Sequence, residues 1–245
     1  MCKLRQGSEA ELCRIQVPFL RQNRDGQVHV LSRPGHKIHV HGMQFHRAIN
    51  SRKMKLLRLN AENPEKDLVS YAAKEIASGK TIVYPTDTVY GLGCSIKSID
   101  AVRKVFAIKK RDMDKPLSVA FPDLETAKGY VLLDAGEEGY IKKHLDEPFT
   151  FIVRKRENIS DTITSGMDTV GIRIIDHPVV KRLIYTAKVP IVTTSANITG
   201  DKPPADFREI DKEILEKADL AIDSGRCRVG KPSKIINLVT GEILR

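Results

Sequence analysis

Between residues 54 and 245 the apolar positions follow two alternating periods. Short β-rich runs at 55–59, 81–84, 116–121, 149–154, 170–175, 191–194, 220–223 and 235–239 read as strands. Stretches with apolar residues every three or four positions separate them and read as helices. Leu68, Ala72 and Ile76 mark one such stretch, with Asn63-Pro64-Glu65 as its N-cap signal and Gly79 as its stop. Val102, Val105, Phe106 and Ile108 mark a second helix over 100–110, and further helices are predicted at 124–130, 137–145, 178–188 and 206–217. Strands alternating with helices in this way predict an α/β fold, an open twisted mixed sheet with helices packed on it. A single domain over 54–245 follows, since no repeat, low-complexity tract or linker interrupts it.

Residues 1–53 are a different kind of sequence. They hold ten Lys/Arg against three Asp/Glu, whereas the remainder holds 31 against 28. Most of the net charge of +10 therefore belongs to an N-terminal extension and says little about the body. Five of the seven histidines, His29, His36, His39, His41 and His46, also lie here. Alternate histidines share a strand face, yet no Cys or carboxylate stands close in sequence to complete a metal site. The segment reads as a poorly ordered basic arm, or as sequence upstream of a true start at Met43 or Met54. Scattered cysteines, no apolar run of membrane length and no secretory signal point to a cytoplasmic protein without a membrane partner. The sequons at Asn158 and Asn197 are discounted on the same ground.

Four polar segments lie where predicted strands end, the usual place for sites in open α/β sheets. The first, YPTDTVYGLG over 84–93, offers hydroxyls and glycines. The second, Lys109-Lys110-Arg111 with Lys115, gathers cations fit to hold phosphates, although the end of a helix attracts cations anyway. The third is Thr193-Thr194-Ser195-Ala196-Asn197. The fourth runs from Asp223-Ser224-Gly225 to Pro232-Ser233. Its 225–231 portion approaches a P-loop, but Pro232 stands where Mg²⁺ needs a hydroxyl and a strand follows where a helix must open. Cys94 and Cys227 are nucleophile candidates by type alone. His177, before Pro178, reads as a capping or surface residue. No catalytic triad, HExxH or spaced carboxylate pair is present, so the pattern favours holding an anionic ligand over acid–base hydrolysis.

Five motifs in order give these segments a resemblance. YPTDTVYGLG, the KxR of Lys109 and Arg111, Val170-Gly171-Ile172-Arg173, the SxN of Ser195 and Asn197, and the closing glycine loop are together similar to the YrdC-like family of threonylcarbamoyl-AMP synthases. The likeness spans about 59–239. It implies a reaction of L-threonine, bicarbonate and ATP that yields threonylcarbamoyl-AMP and pyrophosphate. It implies that Lys109 and Arg111 are catalytic and hold the phosphates and carboxylate. Arg173 joins them as a third cation, Ser195 and Asn197 fix the nucleotide, and Ser233 with the Ser224–Gly225 turn closes the nucleotide side. Thr88, Tyr90 and Arg111 line the threonine end. Mg²⁺ enters with ATP and no dedicated protein metal site is implied. A downstream threonylcarbamoyl transferase and tRNA are the implied partners. The chain departs from the family pattern at Phe149, Lys234 and Ala120, and it ends at Arg245, about where the family's catalytic domain ends. The alternative is an RNA-binding or regulatory relative without synthase activity.

Overall fold

The chain divides into two units, Met1–Ser51 and Arg52–Arg245. The computed structural model describes residues 54–244 and, before them, only two short strands. Those strands, β1 (Leu20–Gln22) and β2 (Val28–Val30), pair antiparallel, with Arg21 opposite His29. The metal, basic-arm and start-site readings of residues 1–53 otherwise lie outside the described residues.

The second unit alternates strands and helices as its periodicity predicts. It begins with β3 (Lys55–Arg58), α1 (Lys66–Ala77), β4 (Ile82–Tyr84), β5 (Gly91–Ser95) and α2 (Ile99–Lys109). Next come β6 (Ser118–Phe121), α3 (Leu124–Lys128), β7 (Val131–Leu132), α4 (Ala135–Lys143), β8 (Phe149–Lys155) and α5 (Asp161–Thr164). β9 (Thr169–Ile174), α6 (Pro178–Ala187), β10 (Ile191–Ser195), α7 (Lys212–Lys217), β11 (Leu220–Asp223) and β12 (Lys234–Asn237) complete it. The strands form one ten-stranded sheet in the order β12-β8-β9-β6-β10-β5-β4-β11-β3, with β7 added beside β8. Parallel and antiparallel pairs are mixed, as expected of this fold class.

Every residue of β4 and β5 is buried, so these central strands lack the alternation of a half-wet strand. α1 buries Val69, Ala72, Ala73 and Ile76, and α6, its packing neighbour, buries Val179, Val180, Leu183 and Ile184. Three expectations shift. The helix read at 206–217 is a 3₁₀ turn, Phe207–Glu209, followed by α7. Two aspartates divide it: Asp206 accepts from the Arg208 amide and Asp211 from the Glu213 amide, so each starts its own turn. α1 begins after Pro64, with Glu65 at the N-cap position, because Asn60 Oδ1 draws the Glu62 and Asn63 amides into a turn. β5 emerges from the glycine-rich part of the first motif, which reads as a loop by composition.

β5 is a strand because its glycines are covered. Tyr84, cross-strand from Gly91, lays its ring over Gly91 and Gly93. Its hydroxyl donates to Thr193 Oγ1 on β10, at 2.6 Å. A Cβ on Gly93 would sit 2.1 Å from the Val192 carbonyl oxygen, so only glycine lets β5 and β10 pair there.

Candidate active site

A cleft of about 540 Å³ brings four of the five motifs together with the closing loop. Its floor is a face of the sheet, and the polar segments after β4 and β10 rim it from strand ends, as the sequence predicts. Ser118 of β6 lies in register with Gly171 of β9 and Thr193 of β10, and Ile152 of β8 pairs with Gly171. Side chains alternate along each strand, so Thr169, Gly171 and Arg173 share that face. A Cβ on Gly171 would meet Ser118 Oγ at 2.8 Å, so glycine keeps the floor low.

The first motif forms one wall. Thr86 Oγ1 donates to the Val89 carbonyl at 2.6 Å and accepts from the Thr88 and Val89 amides, closing a hydroxyl-stapled turn. That turn presents Thr88 to the cleft. Tyr90 lines the cleft as well. Its hydroxyl donates to the Gly225 carbonyl and accepts from the Ser224 amide, so it anchors the closing loop. Burial pushes its phenol well above the usual range.

The cationic wall starts at the end of α2. Lys110 takes the left-handed conformation at φ +51°, and the Lys110 and Arg111 amides return to the Ala107 and Phe106 carbonyls. This sharp turn splits the cluster. Lys109 and Arg111 face the cleft, whereas Lys110 pairs with Glu213 at 2.8 Å and Lys115 with Asp112 at 2.7 Å. The site therefore holds two cations from this run rather than three or four. Arg111 donates from Nε to the Lys115 carbonyl and from Nη2 to the Pro116 carbonyl, which fixes its plane.

Lys109 is 2% exposed. Its ammonium donates to the Ser195 carbonyl (2.7 Å), the Asn197 carbonyl (2.8 Å) and Asn197 Oδ1 (3.2 Å). Burial, and then the nearby Arg111 guanidinium, push it down to about 8. Asn197 Nδ2 donates to the Ile198 and Asp201 carbonyls. The polar groups of both side chains thus engage the SxN loop itself, and Ser195 remains as a lining residue of the cleft.

Arg173 is also paired. Nη2 lies 2.8 Å from both carboxylate oxygens of Asp87, and Nη1 donates to Thr88 Oγ1 at 2.7 Å. Sequence reading missed Asp87, whose signal is a lone carboxylate inside a hydroxyl-rich turn. Ser233 lines the cleft and shares a 2.8 Å hydrogen bond with Thr150. The 225–233 loop leads into β12 and no helix, which accords with rejecting the P-loop.

The three departures fall differently. Phe149 is buried beside Phe151 with Lys234 Nζ over its ring, so two of them form one contact at the cleft's flank. Ala120 is buried and in register with Arg173. Burial pushes the Cys94 thiol up to about 12 and the Cys227 thiol to about 11, which leaves neither a ready nucleophile. His177 occupies the N-cap position of α6 without capping an amide, and its Nδ1 is buried without a partner. Among the described residues no three His, Cys, Asp or Glu stand together to hold a metal ion, and no helix is long and apolar enough to cross a membrane.

A mixed α/β sheet bearing a cleft with a hydroxyl-rich floor and Lys109, Arg111 and Arg173 on its walls is the class of fold and site that this chain presents. The chain belongs to the Sua5/YciO/YrdC family, whose model, described as telomere recombination, matches residues 74–245. A Methanocaldococcus jannaschii protein provisionally named threonylcarbamoyl-AMP synthase is 38% identical over 196 residues, which cover 80% of this chain and 92% of that protein. The threonylcarbamoyl-AMP synthase of Pyrococcus abyssi is 33% identical over 72% of this chain and 52% of its own length, so this chain spans about half of that relative. The structure of P. abyssi Sua5 complexed with L-threonine superposes with a TM-score of 0.73 at 31% identity, over 78% of this chain and 56% of that one. E. coli YciO shares the fold, with a TM-score of 0.73 at 24% identity over 78% and 95% of the two chains.

Proposed function

We propose that this chain is an L-threonylcarbamoyladenylate synthase, a nucleotidyltransferase that joins L-threonine, bicarbonate and ATP. The observation that carries the reading is the convergence of Lys109, Arg111, Arg173 and a row of hydroxyls on one cleft, in a chain related to named synthases.

The chemistry suits those residues. The threonine amine and bicarbonate give an N-carboxylate and water. A carboxylate oxygen then attacks the α-phosphorus of ATP, and the bond to the bridging oxygen breaks as pyrophosphate leaves. Charge grows on the phosphoryl oxygens, so alignment and fixed donors dominate catalysis. Arg111, immobilised by two carbonyls, meets the phosphates and the threonine carboxylate. Lys109 and the Asn197 side chain together shape the loop that presents Ser195 to the nucleotide. Thr88 meets the threonine end, Tyr90 holds the loop behind it, and Ser233 closes the nucleotide side. Mg²⁺ arrives as part of the ATP substrate. The product is a mixed anhydride that passes to a separate transferase acting on tRNA, and the enzyme works in the cytoplasm.

Pyrophosphate release from Mg-ATP by the full chain tests this. Release that requires both L-threonine and bicarbonate, with threonylcarbamoyl-AMP identified by mass, is expected. ATP binding without such release overturns the reading.

A further inference from the structure

Arg173 and Thr88 line the cleft, whereas Asp87 stands behind them, 5% exposed. A guanidinium carries five N–H donors in a rigid fork. Asp87 engages Nη2 through both of its oxygens, and Thr88 engages Nη1. Nε is buried and has no partner. A buried, half-engaged cation on a cleft wall is costly unless a carboxylate balances it or a ligand completes it. The same dipeptide also holds the closing loop: the Asp87 and Thr88 carbonyls accept from the Val229 and Gly230 amides.

We propose that Asp87 is a positioning residue for the reaction assigned above, on which this inference rests. It fixes the Arg173 guanidinium flat against the wall, so that the Nη1 proton not taken by Thr88 meets the phosphoryl group as charge develops there. Without that carboxylate, Arg173 swings freely and meets phosphate in the ground state as readily as in the transition state. Loss of Asp87 then lowers kcat while leaving ATP binding intact or tighter. A purely structural ion pair behaves otherwise: its loss reduces the number of folded sites and leaves kcat per site unchanged.

The experiment compares wild type, Asp87→Asn, Arg173→Gln and the double variant, all as full chains. Calorimetric titration with ATP counts the sites, and pyrophosphate release gives kcat per site. Asp87→Asn is expected to lower kcat per site about 10- to 100-fold, the scale of a small misplacement at a reacting centre. ATP affinity stays within about threefold or tightens, and Asp87→Asn costs less than about twofold once Arg173 is Gln. Undiminished kcat per site, or an equal cost in both backgrounds, overturns the inference. Should Asp87→Asn not fold, Asp87→Glu keeps the charge one methylene out of place, and it must fold yet turn over slowly; full activity there also overturns the inference. A wild type that binds ATP but releases no pyrophosphate overturns the reaction and this inference together, whereas an active wild type with undiminished Asp87→Asn turnover per site overturns this inference alone.

Discussion

The ammonium of Lys109 sits 3.2 Å from Asn197 Oδ1, and the two residues lock one another. Lys109 also donates to the Asn197 carbonyl, and its own carbonyl accepts from the Thr199 amide and hydroxyl. The end of α2 and the loop after β10 thus behave as one piece, and the KxR and SxN motifs are two halves of it.

Lys109→Ala is expected to lower turnover by a factor on the order of 10²–10³, because the Ser195 and Asn197 carbonyls lose the ammonium that holds the SxN loop in place at the reacting centre. Lys109→Arg recovers little, because three acceptors converge on a compact ammonium that a planar guanidinium cannot replace. Pyrophosphate-release rates on both variants check this, and an active Lys109→Arg enzyme contradicts it.

Arg111→Ala is expected to cost a similar factor, on the order of 10²–10³. Arg111→Lys also fails, since one ammonium cannot hold the Lys115 and Pro116 carbonyls and still present a flat edge to a ligand. Steady-state kinetics in ATP and in threonine separate the two ligands. Wild-type constants for Arg111→Ala refute the assignment.

Two glycines predict opposite signs. Gly93→Ala forces a methyl against the Val192 carbonyl and is expected to destabilise by about 3 kcal/mol or more. Gly139, inside α4, has open space where a Cβ would go. Gly139→Ala should stabilise by about 0.5–1 kcal/mol through helix propensity. Urea unfolding of both variants tests the pair.

Burial pushes His177 down from 6.5 to about 4. The unfolded chain therefore binds more protons between those values, and stability falls as the pH drops from about 6.5 towards 4. The loss attributable to His177 is on the order of 2–3 kcal/mol at the lower end. His177→Phe should flatten that part of the profile relative to wild type in denaturant melts at about pH 7 and about pH 4.5. An unchanged difference between the two pH values removes His177 as the cause.

Much of this was legible in the residues. The runs at 81–84 and 191–194 are β-branched and became central strands, and the four-residue spacing of Leu68, Ala72 and Ile76 became α1. KxR spacing brought Lys109 and Arg111 to the cleft while turning Lys110 out, which periodicity alone does not reveal; it needed the left-handed turn at Lys110. The floor that the sheet face gives the site was hidden, because it depends on β10 inserting between β5 and β6, neighbours remote in sequence. β5 was hidden because its strand character comes from the Tyr84 ring rather than from its own residues. Asp87 escaped because its partner lies 86 positions away.

The loop from Ser224 to Ser233 is tied down through main-chain groups: Ser224 and Gly225 by Tyr90, Cys227 by Ala205, Val229 by Asp87 and Gly230 by Thr88. Of its outward side chains, Arg226 and Arg228 pair with Glu209 and Asp176, whereas no ion pair is formed by Lys231 among the described residues. The path of the loop is therefore set by its main chain, and the exposed charge at Lys231 is separately heritable. Sequence drift, or an engineer, can repaint that position without disturbing the chemistry on the loop's inner side.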